Sequence, residues 1–440
     1  MKAIENFLDF CYRINSNDKR YKYYKELLNN LNVDRNEIIK LQNGSIKKLI
    51  NHAYNNSVFY KKMFIANGIN PLDINNSRDL MKIPPLTKDI IKENLNDLKT
   101  NDLYGKNLKK VTSGGSTGMQ AVIYKSPYFE QVSRAAYLRN NSIIGWMPSD
   151  RSAWIWGSPI EHASLKNNIK VRLGGFLNRR IILNAYSYAK SDFPEWYKEI
   201  IKFQPKILYG YASIILEFAT FILANNLSLP SIKMVVSTTE KLLGREIIAE
   251  AFKCNVHDQY GCREVIAIGI ETKPNQMIIT DDVVIVNTNE KDEFLLTPLH
   301  SFGFPLINYK VGDTGEINSI DESSGKYPFL RMNLKIGRIT ENFITHDNKK
   351  VSSSAFSTYL STLTLGIQQH QIIQSNYKEF TINYIPDKNT NHEYYRNKLS
   401  MALKEYFGEN LITTFNVVDE IPVEKSGKRL LAKRSFNLEM

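Results

Sequence analysis

The sequence predicts an α/β protein with a large N-terminal domain, built from α/β sheets and a β-rich subdomain, and a small C-terminal α+β domain. Three observations predict it. From residue 107 short β-rich runs alternate with helical stretches, after about residue 277 the helical stretches fade, and beyond Gly337-Arg338 a third pattern begins. Strand then helix, repeated, argues for a mostly parallel sheet, because parallel strands need a crossover and a helix usually supplies it. The chain therefore divides into residues 1–105, a helical N-terminal region of the large domain; 106–337, the core of that domain; and 338–440, the small domain.

In the first region FLDFCYRI, YYKELL and SIKKLINHAY carry apolar residues at helical spacing. In LMKIPPLTKDIIKENL the proline pair stops one helix before Thr87 caps the next. AVIY then reads as a strand, followed by the helix SPYFEQVSRAAYLRN, in which Ser126 is the cap and Pro127 sits in the first turn. KILYGY with SIILEFATFILANN, MVVSTTE with LGREIIAEAF, and NVHDQYG with a helix starting near Glu264 continue the alternation. MIITDDVVIVN, EFLLTPL, PLINYKV and GEINSI read as strands broken by Gly, Pro and Asp turns, which predicts a small antiparallel barrel or sheet. In the small domain, FTINYIP, a helix around YYRNKLSMALKEYF and a closing strand LITTFNVVD complete the module. No low-complexity linker precedes it, so the boundary near Arg338 is a hinge candidate.

Bulk properties exclude several classes. With 440 residues, 42% of them hydrophobic, the chain can bury a large core. Glu5 and Asp9 fall inside what would be the apolar stretch of a signal peptide, and no apolar run approaches membrane-spanning length, so the expectation is a cytoplasmic protein without membrane insertion. Cys11, Cys254 and Cys262 are odd in number and wrongly spaced for a disulfide framework or a metal cage. The formal charge of +12, from 57 basic and 45 acidic residues, is scattered rather than gathered, so a solvated surface accounts for it and no nucleic-acid partner is expected. The local exception is EKSGKRLLAKR near the C-terminus.

The stretch VTSGGSTGMQ, residues 111–120, raises the question of phosphate binding. A Walker loop ends in Gly-Lys-Ser/Thr, whose lysine reaches the terminal phosphates; here the slot reads Gly118-Met119-Gln120. The glycine spacing of a dinucleotide fingerprint is absent too. What remains is a hydroxyl-rich turn between two strands, able to wrap phosphates with backbone N–H groups and with Ser113, Ser116 and Thr117. Alone, such a cluster is more often a surface loop.

It is followed, in order, by STTEK at 237–241, YGCRE at 260–264, VGDTGE at 311–316, GRITENFI at 337–344 and IPVEKSGK at 421–428. With these motifs the chain resembles the adenylate-forming superfamily of acyl-CoA synthetases, luciferases and peptide-synthetase adenylation domains. Within it, LINHAYNNSVFYKKMFIANGINPLDINNSRDLMKIPPLTKDII and HQIIQSNYKEFTINYIP are similar to the phenylacetate–CoA ligase and CapK-like branch. The resemblance spans roughly residues 45–435.

It implies an ATP- and acyl-binding core over 106–337 and a C-terminal lid over 338–440. By the same resemblance Ser113, Gly115, Ser116, Thr117 and Gly118 orient the leaving pyrophosphate, and Thr238, Thr239 and Glu240 cradle adenine, with Tyr260 as a stacking face. Glu264 matches the magnesium ligand, a carboxylate suited to a hard cation. Asp313 matches the acceptor of the ribose hydroxyls, Arg338 a guanidinium at ribose or phosphate, and Lys428 the lysine that bridges the attacking carboxylate and the α-phosphate. His162, Trp154, Trp156, Tyr209 and Tyr211 lie on elements that line the acyl pocket in the family. Each residue also has an ordinary reading. Glu264 would be favoured at a helix start by the dipole alone, Asp313 and Gly315 are turn formers, Tyr260 suits a core, and Lys425 rivals Lys428.

The chain departs from the family pattern at Met119 and Gln120, where Lys and Pro are usual, at Thr340 in the hinge, and at Asn348, where a glycine is usual. AIGIETKPNQMII lacks the Cys/His cluster that some relatives carry after YGxxE, so no zinc is expected. The resemblance thus implies a ligase that uses ATP and Mg2+ to turn a small-molecule carboxylate into an acyl-adenylate with release of pyrophosphate. The acceptor stays open among coenzyme A, a carrier-protein thiol and an amine, including a sugar-linked one. Its CapK-like character implies capsular or other surface-polysaccharide biosynthesis. The alternatives are an aryl-acid CoA ligase of aromatic catabolism and a catalytically silent binding subunit of the same fold.

Overall fold

The computed structural model describes residues 18–112, 122–156, 179–185, 188, 190–318, 326–336, 343–347, 350–351, 356, 367–386, 390–421 and 432–436. The chain forms two compact units, one of residues 1–113, 121–149 and 257–337, the other of 114–120, 150–256 and 338–440. Among its described residues the first carries helices α1 (Arg20–Asn29), α2 (Arg35–Asn56), α3 (Val58–Ala66) and α4 (Lys88–Glu93), and the helix expected over FLDFCYRI lies outside them. Asp34 starts α2 by accepting the Glu37 N–H at 2.9 Å, and Thr87 starts α4 by accepting that of Ile90 at 3.3 Å, as its position after the proline pair predicts. Ile38, Gln42, Ile46, Leu49, Ile50 and Ala53 recur at three- and four-residue steps along α2 and bury one face. Strands β1 (Lys109–Thr112) and β2 (Val122–Lys125) then pair antiparallel, ending in Thr112 opposite Val122. Helix α5 (Pro127–Ile143) follows at once, capped by the Ser126 hydroxyl on the Phe129 N–H at 3.2 Å.

Residues 150–256 alternate strand and helix: β3 (Ser152–Trp156), β4 (Arg180–Asn184), α6 (Phe193–Phe203), β5 (Ile207–Tyr211), α7 (Ala212–Ala224), β6 (Met234–Thr238) and α8 (Arg245–Phe252). The strands are parallel, in the spatial order β4-β3-β5-β6. Every residue of β5 and β6 is buried, as expected of strands whose two faces are both covered. Phe193, Trp196, Phe218, Ile222 and Phe252 from the helices share a core with Leu208 and Val235 of these strands.

Next come β7 (Asn255–Tyr260), β8 (Gly269–Lys273), β9 (Gln276–Ile279), β10 (Val284–Thr288), β11 (Glu293–Pro298), β12 (Tyr309–Asn318) and β13 (Arg331–Ile336). They pair antiparallel in the order β10-β11-β12-β13-β9-β8-β7. The helix expected near Glu264 does not form. Residues 261–268 are a loop, closed by the Cys262 N–H on the Val265 carbonyl at 2.8 Å and the Ile268 N–H on the Tyr260 carbonyl at 3.2 Å. Val265, Ile266 and Ile268 are β-branched, and pairing of β8 back onto β7 uses the backbone groups a helix would have needed. PLINYKV and GEINSI, expected as separate strands, fuse into the ten-residue β12, which carries a bulge: Lys310 opposes Leu295, yet Thr314 opposes Glu293.

A buried charge network ties the helices of this unit to the turn before β10. Arg139 of α5 is fully buried and grips Asp282, with Nη2 donating to Oδ1 at 2.8 Å, while the Asn30 amide donates to the other oxygen at 2.7 Å. Arg35 pairs with Asp281 next door.

The C-terminal segment contains β14 (Phe343–Ile344), β15 (Lys350–Val351), β16 (Ile367–Gln374), β17 (Glu379–Pro386), α9 (His392–Phe407), β18 (Ile412–Val417) and β19 (Ala432–Arg434). Its sheet runs β18-β17-β16-β19, antiparallel only between β16 and β17. Helix α9 crosses from β17 to the parallel β18, and its Tyr395, Leu399, Leu403 and Phe407 share a core with Phe380 and Ile382 of β17. This is the α+β module expected from FTINYIP, YYRNKLSMALKEYF and LITTFNVVD.

Candidate active site

Two acidic residues of the first unit are held by hydroxyls that cross between segments. Tyr260, at the end of β7, donates its hydroxyl to Asp313 Oδ2 at 2.8 Å. Tyr309, at the start of β12, donates to Glu264 Oε1 at 2.7 Å. Residues 260 and 264 thus bond reciprocally to 313 and 309. Glu264 is 4% exposed and Tyr309 fully buried. Burial first, and the Glu264 carboxylate second, push the Tyr309 hydroxyl well above the usual phenol range, so it remains a donor at any physiological pH. Asp313 sits in the β12 bulge. The preceding Gly312 has φ +95, which a side chain would strain, and at Gly315 a Cβ would lie 2.3 Å from the Asn333 carbonyl oxygen. VGDTGE is therefore a bulge whose glycines present the aspartate.

The turn that carries Glu264 has a second set of ties. The Lys125 ammonium, at the end of β2, donates to the Arg263 carbonyl at 2.6 Å, and the Arg263 guanidinium donates to the Thr112 carbonyl at 3.0 Å. Lys125 is 7% exposed. Burial pulls its pKa down, and the neighbouring Cys262 and Glu264 oppose that. The Cys262 thiol is pushed well up by burial and by Glu264, which keeps it an uncharged, weakly reactive group.

The second unit holds the other described residues. Thr238 ends β6 and Thr239 follows at φ +76, an unusual state for a β-branched residue and one that costs about 1–3 kcal/mol. Glu240 is 8% exposed and accepts the Ser213 N–H at 3.1 Å, where the first turn of α7 favours negative charge. Trp156 and Tyr211 stack with ring centroids 4.7 Å apart and planes 5° apart, Trp154 meets Tyr209 at 4.5 Å, and the Arg180 guanidinium lies 4.3 Å over Trp154.

Residues 343–435 match the family described as "CapK C-terminal domain". Protein CapK of Staphylococcus aureus is 25% identical over 424 residues, which cover 94% of this chain and 93% of that one. The chain is thus similar to CapK over nearly its whole length. Among solved structures, 2-hydroxyisobutyryl-CoA ligase in the postadenylation state superposes with a TM-score of 0.56 at 15% identity, covering 91% of this chain and 90% of that one. The same enzyme with 2-HIB-AMP and CoA in its thioesterification state gives 0.57 at 16%, with the same coverage. Such identities report the fold.

Against this CapK-like frame the sequence expectations divide by location. Tyr260, Glu264 and Asp313 come together in the first unit; Thr238, Thr239 and Glu240 stand at the end of β6, and Trp154, Trp156, Tyr209 and Tyr211 cluster on β3 and β5. Ser113, Gly115, Ser116, Thr117, Gly118, Met119, Gln120, His162, Arg338, Thr340, Asn348, Lys425 and Lys428 lie outside the described residues. Tyr260 is 9% exposed and packs against Phe294, centroids 6.2 Å apart, so its ring is part of the core as well as a partner of Asp313. Sequence reasoning missed Lys125, Tyr309 and Arg263. A signal was available for one of them: Tyr260-x-x-x-Glu264 and Tyr309-x-x-x-Asp313 repeat one pattern, and each tyrosine serves the other's acid.

Among the described residues no group of three or more His, Cys, Asp or Glu is arranged to hold a metal, and no helix is long and apolar enough to cross a membrane. Magnesium does not require such a cage, since it is commonly held by one or two carboxylates together with substrate phosphates and water. Glu264 fits that need: its Oε1 is fixed by Tyr309, which sets the orientation of the whole carboxylate.

Proposed function

We propose that the chain activates a small-molecule carboxylate with ATP, forming an acyl-adenylate and releasing pyrophosphate, and then passes the acyl group to a thiol or amine. The observation that carries this reading is the crossed pair of tyrosine–carboxylate bonds, Tyr260 with Asp313 and Tyr309 with Glu264. It supplies two fixed acids on neighbouring segments, one for a sugar diol and one for a phosphate-bound cation. In this scheme Asp313 accepts the ribose hydroxyls and Glu264 faces the phosphates, while Thr238, Thr239 and Glu240 serve the base. Magnesium bound at Glu264 would neutralise phosphate charge in flight. A substrate carboxylate oxygen attacks the α-phosphorus, the bond to the β-phosphate oxygen breaks, and pyrophosphate leaves. Ser113, Gly115, Ser116, Thr117 and Gly118 orient that leaving group, Arg338 contacts ribose or phosphate, and Lys428 bridges the reacting oxygens.

The whole-length match to Protein CapK supports a role in capsular or other surface-polysaccharide biosynthesis, with the acyl group delivered to a sugar-linked amine, a carrier thiol or coenzyme A. Full-length similarity to a ligase crystallised with an acyl-AMP and CoA supports the thiol branch. The aromatic cluster of Trp154, Trp156, Tyr209 and Tyr211, with His162 as the further pocket residue, favours a second reading, an aryl-acid CoA ligase. One experiment tests the common core: exchange of labelled pyrophosphate into ATP over a broad panel of carboxylic acids, with Lys428→Ala beside the wild type. Acid-dependent exchange that the variant loses, while its ATP binding persists, is expected. No exchange with any acid at saturating ATP would favour a silent subunit, and release of ADP and phosphate would overturn the family reading.

A further inference from the structure

Both strands of the β1–β2 hairpin are fastened to the residue immediately before Glu264. The Arg263 guanidinium takes the Thr112 carbonyl, the last residue of β1, at 3.0 Å. The Lys125 ammonium, on the last residue of β2, takes the Arg263 carbonyl at 2.6 Å. Residue 263 is thus a donor to one strand and an acceptor from the other. The turn around it is itself rigid, since the Cys262 N–H reaches the Val265 carbonyl at 2.8 Å and the Val265 N–H reaches Cys262 Sγ at 3.3 Å. Its next residue points elsewhere, into the bond with Tyr309. A buried ammonium on a lone carbonyl is a costly way to fasten a hairpin, because desolvating the charge must be offset by that bond and by nearby carboxylate. Helix packing or a neutral donor would have served a purely structural purpose.

We infer that Lys125 and Arg263 are positioning residues: they fasten the turn bearing Glu264 to both strands of the β1–β2 hairpin, at the last residue of each, and so fix where the Glu264 carboxylate stands. The inference rests on the nucleotide role of Glu264 proposed above. It assigns no ligand contact to either side chain.

The test is nucleotide binding by the full-length protein, measured by calorimetry with ATP plus Mg2+ and with AMP as separate probes. Lys125→Met and Arg263→Ala are expected to weaken Mg·ATP binding by about 10- to 100-fold, the usual effect of losing an orienting partner behind a ligand group. AMP, which lacks the β and γ phosphates, should bind each variant within about twofold of wild type. The double variant should be no weaker than the weaker single one, because both bonds act through residue 263. Arg263→Lys and Lys125→Arg, which keep a charged donor, should recover part of the loss. Equal loss of ATP and AMP affinity, or unchanged ATP affinity in Arg263→Ala, whose side chain is only half-buried, would overturn the inference. Failure of the wild type itself to bind either nucleotide would instead sink the functional proposal.

Discussion

Tyr309→Phe removes one oxygen and little else. The hydroxyl donates at 2.7 Å to a carboxylate that is 4% exposed, so this is a charge-assisted bond in a place water scarcely reaches. Such bonds contribute about 1.5–3 kcal/mol net, and a buried acceptor left short of a partner loses the upper part of that range. The phenylalanine ring should still fill its site, so no cavity adds to the loss. Urea unfolding should therefore show a stability decrease of about 2–3 kcal/mol with an unchanged m value. The companion variant Glu264→Gln keeps an acceptor oxygen but not the charge, and a double-mutant cycle of the two should return a coupling of about 1.5 kcal/mol or more. If Tyr309→Phe unfolds at the same midpoint as wild type, or the cycle closes to zero, the crossed bonds do not organise this site.

Two other perturbations follow from buried charge. Arg139→Met leaves Asp282, fully buried at its side chain, with only the Asn30 amide, and should cost about 3–5 kcal/mol in urea unfolding; a loss below about 1 kcal/mol would mean that the pair carries no net weight. His370, 3% exposed in the C-terminal module, is pushed by burial from 6.5 down to about 4. A histidine lowered in the folded state contributes stability above the unfolded pKa, and loses it as pH falls through the folded one. Between pH 6.5 and about 4 the loss amounts to about 3 kcal/mol, at 1.36 kcal/mol per pH unit. His370→Gln should flatten the fall in stability over that window, and identical pH profiles for variant and wild type would refute the assignment.

Much of the architecture was legible because it is written locally. The Thr87 and Ser126 caps, the proline after Ser126 and the alternation of KILYGY and MVVSTTE with helices each depend on a few neighbouring residues. The Glu264 helix failed for the opposite reason: its backbone is claimed by β7 through a pairing that local propensity does not see. The fusion of PLINYKV with GEINSI hides in a bulge, where Gly312 and Asp313 look like a turn that ends a strand. At the site the motifs named Tyr260, Glu264 and Asp313, but not what holds them. Tyr309 lies 45 residues from Glu264, with the repeated Tyr-x-x-x-acid spacing as its one trace, and Lys125 lies 138 from Arg263, a separation over which a single sequence carries no contact signal.

The crossed bonds also act as a vernier between two lengths of chain. Because the donors lie at 260 and 309 and the acceptors at 313 and 264, sliding β12 by one residue past the 260–264 segment would break both bonds at once and turn every side chain of the strand to the other face. An error in alignment is thus penalised twice, at the two acids the proposed chemistry depends on. Assembly of the fold and accuracy of the site are checked by the same pair of hydroxyls.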